Sequence, residues 1–401
     1  MGEKHRFSIH KKGRDVMGRG RRLLAAALAL GLTLLLGMAA AALEEDPSEG
    51  QALPDSYGQQ LEASGAEALY RALPEDTQDA LAQAGLDQMD LYGILNTSPQ
   101  DIITILLHML QGGSGAALRS GALAAGLMIM ISAAGSLLPD DEKLLRAVEV
   151  TGSMLALMVM LPGLTELMKA AGAAVRAGCD FSLLLIPILA GIITATGNPT
   201  LALSYHSMAF AAAQGLSQLA DGVIVPCTGI VLGLSLVDTA TPDTKLSSLA
   251  ELIKKAVIGT FAVLAGLFSA LLSIKSLIAN TADAMTVRGV KVLVGSVPVV
   301  GSALSEACGA ILSSISLVKG AVGGFALLAA ALLYAPVLLQ LLLWSFLLKL
   351  LAAASGLMKL DTTQSMFQSV GYAVSILGAC VIFNAALLIL STGLVLSIKS
   401  N

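Results

Sequence analysis

Charge is scarce in this sequence: 13% of its 401 residues are Asp, Glu, Lys or Arg, about half the share of a soluble domain. A water-facing globule of this length would need a polar shell that the chain does not have. Aromatics are scarce too, at 4%. The four cysteines, Cys179, Cys227, Cys308 and Cys380, stand far apart with no CxxC spacing, so they read as small apolar packing residues rather than a redox or metal site. Neither His108 nor His206 has a second histidine or carboxylate at metal spacing. There is no HExxH, no GxSxG elbow, no phosphate-binding GxxxxGK[ST] loop and no GxGxxG at a strand-to-helix turn, which argues against an enzyme and against any cofactor. Basic residues are too few and too scattered for a nucleic-acid surface. With no phosphate-binding loop, energy for any transport would come from a partner or a gradient.

What the sequence does have is apolar length. Residues 1–22 carry Lys4, Arg6, Lys11, Lys12, Arg14, Arg19, Arg21 and Arg22 against Glu3 and Asp15, and an apolar run follows from Leu23 to Ala39. A basic start, an apolar stretch and the small residues Ala40-Ala41-Ala42 make a secretory signal over 1–42, with cleavage after Ala42. The alternative is an uncleaved first span, since the run nearly reaches the roughly 20 residues a bilayer needs. Either way the basic end stays cytoplasmic and the next segment is exported. That segment, 43–111, is acidic: Glu44 to Asp101 supply the acids and Arg71 is the lone base from Leu43 to Asp101. A Pro- and Gly-bearing linker leads into short helices around Leu61–Leu73 and Leu81–Leu91, separated by Pro74. Ser98-Pro99-Gln100-Asp101 reads as a helix start, with Pro99 in the first turn. The helix is expected to end at Gly112–Gly113, too short to span.

From residue 112 to 401 the chain reads as an all-α, polytopic transmembrane bundle of about seven spans, near 115–138, 147–168, 181–203, 207–237, 256–279, 321–348 and 370–397. Val292–Val318 holds Gly295, Pro298, Gly301, Glu306 and Gly309 and is expected to be broken or re-entrant among other helices. Between spans fall Lys143/Arg146, Lys169/Arg176, Lys254/Lys255, Arg288/Lys291, Lys319 and Lys349/Lys359. Positive charge thus falls on both sides and leaves the later orientation open. Gly229-x-x-x-Gly233 and Gly320-x-x-x-Gly324 have the spacing for close helix approach. Charge in an apolar run calls for a reason, which singles out Asp221, Lys275 and Glu306; Asp283, Arg288 and Lys291 form a polar connection. Asp221 has a plainer reading, since Gly222 and Pro226 would break the span there. Asp221 and Glu306 stand in no intramembrane protease motif. Pro187, Asn198-Pro199, Pro226 and Pro298 interrupt spans as in secondary transporters, but no internal repeat accompanies them.

A resemblance sharpens this picture. Thr281-Ala282-Asp283-Ala284-Met285-Thr286-Val287-Arg288-Gly289-Val290-Lys291, then Val297-Pro298-Val299-Val300-Gly301-Ser302-Ala303-Leu304-Ser305-Glu306, resembles the stage III sporulation protein AE family. Leu317-Val318-Lys319-Gly320-Ala321-Val322-Gly323, Pro187-Ile188-Leu189 and Ala195-Thr196-Gly197 are similar to further family segments. Gly289, Ala284 and Gly320 depart from its usual Thr, Gly and Asn. The resemblance implies a membrane subunit of the multi-protein stage III sporulation A complex, a channel or secretion-like conduit. It implies the mother-cell membrane around the forespore, a forespore-side counterpart, and ring-forming protein partners. It makes Asp283, Arg288, Lys291, Pro298, Gly301, Glu306 and Lys319 candidates for a shared structural or conduit element, and it brings no catalytic residue. A stand-alone secondary transporter or permease is the alternative.

Overall fold

The computed structural model describes residues 56–86, 99–137, 142–219, 222, 225–241, 246–295 and 301–398. The expected signal sequence and most of the acidic linker lie outside these residues. Ten helices and no strand occur among the described residues: α1 Ser56–Ala63, α2 Glu67–Arg71, α3 Glu75–Gln83, α4 Pro99–Leu137, α5 Glu142–Ala195, α6 Pro199–Leu219, α7 Val225–Ala240, α8 Ser247–Gly295, α9 Gly301–Leu357 and α10 Asp361–Ser397. By length and composition five segments are fit to cross a membrane: Gly115–Leu137, Lys143–Ala195, Ser247–Ile274, Ser313–Leu357 and Asp361–Ser397. Over the described residues the chain is all-helical, with helices long and apolar enough for a membrane protein.

The partition into helices differs from the expected seven spans. Segments 147–168 and 181–203 belong largely to one helix, the 54-residue α5; at ~1.5 Å per residue it runs about 80 Å, far more than a hydrocarbon core. Lys169 and Arg176, expected in a loop, lie in its middle. Gly112–Gly113 does not end a helix either, because α4 runs unbroken from Pro99 to Leu137. Two interior glycines cost about 2 kcal/mol in helix propensity, less than freeing backbone groups where lipid cannot satisfy them. Segment 207–237 falls in α6 and α7, and residues 220, 221, 223 and 224 between them lie outside the described residues.

The end of α5 has a local cause. Gly197 adopts φ +86, its N–H reaches the Thr194 carbonyl, and the Asn198 N–H reaches that of Ile193. This pair of bonds is the Schellman ending, which needs a left-handed residue. Pro199 then opens α6, where its missing N–H costs nothing. The α9–α10 turn closes the same way with Lys359 at φ 59, its N–H on Gly356 and that of Leu360 on Ser355.

Helix α10 is the axis of the bundle and packs against α5, α6, α7, α8 and α9. It runs parallel to α5, with Thr362 beside Glu149 and Asn384 beside Val175. It also runs parallel to α8, with Tyr372 beside Lys254 and Phe383 beside Phe261. It is antiparallel to α9, where Gly356 meets Gln364 and Gly323 meets Leu396. Close approach occurs where one helix offers a glycine: Gly163 beneath Trp344, Gly152 beneath Ile131 and Gly178 beneath Tyr334. Gly229, Gly233 and Gly320, singled out by their spacing, have nothing within 4 Å of a built Cβ.

Because Lys319 of α9 reaches Ile398, residues 301–318, about 27 Å of helix, lie beyond the end of α10. The short helices α1 and α3 pack on α9, and α2 on α5. They bury Tyr57, Leu69, Leu73, Leu81 and Leu86 and leave Glu62, Glu67, Glu75, Asp76 and Asp79 exposed.

Candidate functional site

The buried polar groups of the bundle collect on α10, at its two ends and its centre. A helix leaves its first N–H groups and last carbonyls unpaired and carries partial positive and negative charge there. In lipid those groups must be met by protein. At the amino end Glu149 of α5 supplies the acceptor: its Oε1 takes the Thr362 N–H at 2.7 Å and the Thr363 N–H at 3.2 Å. One turn further along α5, Ser153 Oγ lies 2.7 Å from Thr363 Oγ1, fully buried. Asp361 adds a carboxylate to the first turn of α10 itself.

A second carboxylate ties three elements together at the same end. Asp238, near the end of α7, is buried; its Oδ1 accepts the Ser247 N–H at the start of α8 at 3.2 Å, and its Oδ2 accepts the Ser365 hydroxyl of α10 at 3.0 Å. Ser235, one turn earlier on α7, donates to the Met366 carbonyl at 3.4 Å. Lys254 of α8 sits 4.3 Å over the Tyr372 ring, a cation–π contact.

At the carboxyl end the charge reverses. Lys319, buried on α9, donates from Nζ to the Ile398 carbonyl at 2.6 Å, where α10 stops. A cation on the last carbonyls answers the negative helix end as Glu149 answers the positive one. Between the two, Asn384 Nδ2 donates to the Val175 carbonyl of α5 at 2.8 Å. Beside it the Tyr334 phenol lies on Gly178, and Tyr334, Ser369 and Thr392 bury hydroxyl oxygens with no hydrogen-bond partner among the described residues. Such groups are costly in a dry interior. Cys179 and Cys380 are buried thiols, and no set of three or more metal-ligating side chains occurs among the described residues. What this arrangement does is fix the height and tilt of α10 against α5, α7 and α9.

Of the residues expected to matter, Lys319 alone has a described side chain. Lys275, Asp283, Arg288 and Lys291 lie on the last half of α8, with Arg288 and Lys291 three residues apart and hence on one face. Gly301 opens α9 and Glu306 follows within two turns. Asp221 and Pro298 lie outside the described residues. The bundle thus does not bring Lys319 to the other candidates by any described contact. The residues that hold α10, namely Glu149, Asp238 and Asn384, went unselected. Each is a polar residue in or beside an apolar run, and its partners on or against α10 lie 127 to 214 positions away.

No solved structure matches the chain. A curated relative, the stage III sporulation protein AE of Bacillus subtilis (strain 168), is 28% identical over 151 residues, which cover 37% of this chain and 38% of the relative. The pattern of the family described as Stage III sporulation protein AE matches residues 113–398, that is, the bundle from within α4 to the end of α10. The chain therefore belongs to the stage III sporulation protein AE family.

Proposed function

We propose that this chain is a membrane subunit of a sporulation-specific, channel- or secretion-like complex that links mother cell and forespore and is needed for forespore development. It would sit in the mother-cell membrane surrounding the forespore, with the acidic segment that includes α1–α3 in the space between the two membranes. The observation that carries the reading is the family match over 113–398, which runs from within α4 to the end of α10. In keeping with a role in assembly, the described carboxylates Glu149 and Asp238 are engaged in holding helix ends. The partners are other membrane and ring-forming proteins of the stage III sporulation A complex and its forespore-side counterpart. The residues Lys275, Asp283, Arg288, Lys291, Pro298, Gly301 and Glu306, on or beside the helix portions that flank 296–300, belong to the structural or conduit element of that assembly.

The test is affinity purification of the full chain from sporulating cells. Membrane and ring-forming proteins should come down with it, and the chain alone should move no solute in liposomes. A chain that purifies without partners and transports a solute by itself would be a permease, and the proposal would fall.

A further inference from the structure

One flank of the bundle carries charge at a depth where another flank is apolar. Residues 383 and 384 of α10 are consecutive and so mark one height. Phe383 stacks at 5.0 Å on Phe261 of α8, and Asn384 bonds to Val175 of α5. Arg176 of α5 and Val263 of α8 therefore stand at nearly the same height, on helices that both pack against α10.

Their outward faces differ. On α8 Val263 is 70% exposed and Leu267 54% exposed, with Leu271 one turn on, as expected of a surface that meets lipid. On α5 the exposed charged positions at this height are Glu166, Lys169, Arg176 and Asp180, with Thr165 and Ala173 exposed among them; the charged ones are spaced three, seven and four residues apart and hence along one face. The same face turns apolar again on either side, with Leu155 and Met158 exposed before the band and Leu184 after it. Charge at membrane depth is disfavoured unless it meets protein or water. Lysine and arginine can reach toward an interface on long stems, but Glu166 and Asp180 have shorter chains.

We infer that the Glu166–Asp180 face of α5 lines a water-filled passage at membrane depth, closed on its far side by another subunit. The inference rests on the reading of the chain as part of a membrane complex, because these positions are exposed in the lone chain. The band carries two acids and two bases, so it has no net charge. It suits water and hydrated polar solutes of either sign rather than one ion class.

The experiment places single cysteines in the full chain in sporulating cells and treats them with a membrane-impermeant, charged thiol reagent. Ala173→Cys, an exposed position inside the band, is the mildest probe, with Lys169→Cys beside it. Val263→Cys and Leu267→Cys report the α8 flank at the same height. Membrane fractionation checks that each variant is inserted. The native Cys179 and Cys380 are buried, and Cys227→Ser with Cys308→Ser lowers the background. The α5 positions should react at least about tenfold faster than the α8 positions, since a thiol held in lipid does not ionise. Equal reactivity on both flanks would put this height outside the membrane, and unreactive α5 positions would mean a dry contact. Either result overturns the inference. Partner recovery in the affinity purification is scored separately, so loss of the passage and loss of the complex are distinguishable.

Discussion

Replacing Glu149 should loosen the amino end of α10 in two graded steps. The carboxylate accepts two backbone N–H groups, at 2.7 and 3.2 Å. Hydrogen bonds to a charged group contribute about 1.5–3 kcal/mol each at best, and the charge–dipole term adds about 0.3–1 kcal/mol. Helix caps measured by substitution lose about 0.5–2 kcal/mol, so we expect Glu149→Ala to cost about 2–4 kcal/mol, the upper end of these contributions. Glu149→Gln keeps an acceptor oxygen and loses the charge, so about 1 kcal/mol is expected. The readout exploits Cys179 and Cys380, buried on the α5 and α10 contacts. Purified protein in detergent is heated at one fixed rate with a thiol-reactive fluorophore, and the midpoint of labelling is recorded. The expected order is wild type above Glu149→Gln above Glu149→Ala. Lys255→Ala is the control, since its side chain is 69% exposed and its partner Glu251 lies on the same helix; it should shift stability by less than about 0.5 kcal/mol. If Glu149→Ala labels at the wild-type midpoint, or if the two Glu149 variants fall equally, the capping argument is wrong.

Other substitutions probe the rest of the clamp. Asp238→Ala and Ser365→Ala remove partners of one network, so the double variant should be little worse than Asp238→Ala alone, a departure from additivity of about 1 kcal/mol in the same labelling assay. Gly178→Ala should destabilise by about 1–3 kcal/mol through overpacking, because the added methyl meets the Tyr334 phenol, whose Cζ is 2.6 Å from its position. Tyr334→Phe removes a buried hydroxyl with no hydrogen-bond partner among the described residues and should be neutral or raise the midpoint; a large loss would reveal a partner for that oxygen. Lys319→Met should lower the midpoint by about 2 kcal/mol equivalent, since it leaves the Ile398 carbonyl without its donor.

Elements were more legible in the sequence than their junctions. Apolar length marked the membrane bundle, and Pro99 marked the start of α4, because a proline at the first turn costs no hydrogen bond. Gly112–Gly113 misled, since in a long helix surrounded by apolar matter the cost of two glycines is smaller than that of a break. Lys169 and Arg176 misled in the opposite way: they look like loop charges, yet Ala, Leu and Met around them keep α5 helical. Gly197 was the true stop, visible as a glycine before Asn-Pro but read as the interior of a span. The clamp itself was not readable. Glu149 and Asn384 gain their meaning from backbone groups, and Asp238 from the Ser365 hydroxyl, far along the chain, and no local pattern announces a carboxylate that will cap a distant helix. Gly229 and Gly233 have the right spacing but no close neighbour from another element among the described residues, whereas Gly152, Gly163 and Gly178 have partner side chains lying over them.

The most direct test of the central claim is deletion of this chain in the endospore-forming host that carries it, with growth and forespore development followed in the same culture. Normal vegetative growth is expected, with forespores that form but fail to develop and are restored when the intact chain is supplied. A deletion strain that completes sporulation at the wild-type frequency would contradict that claim.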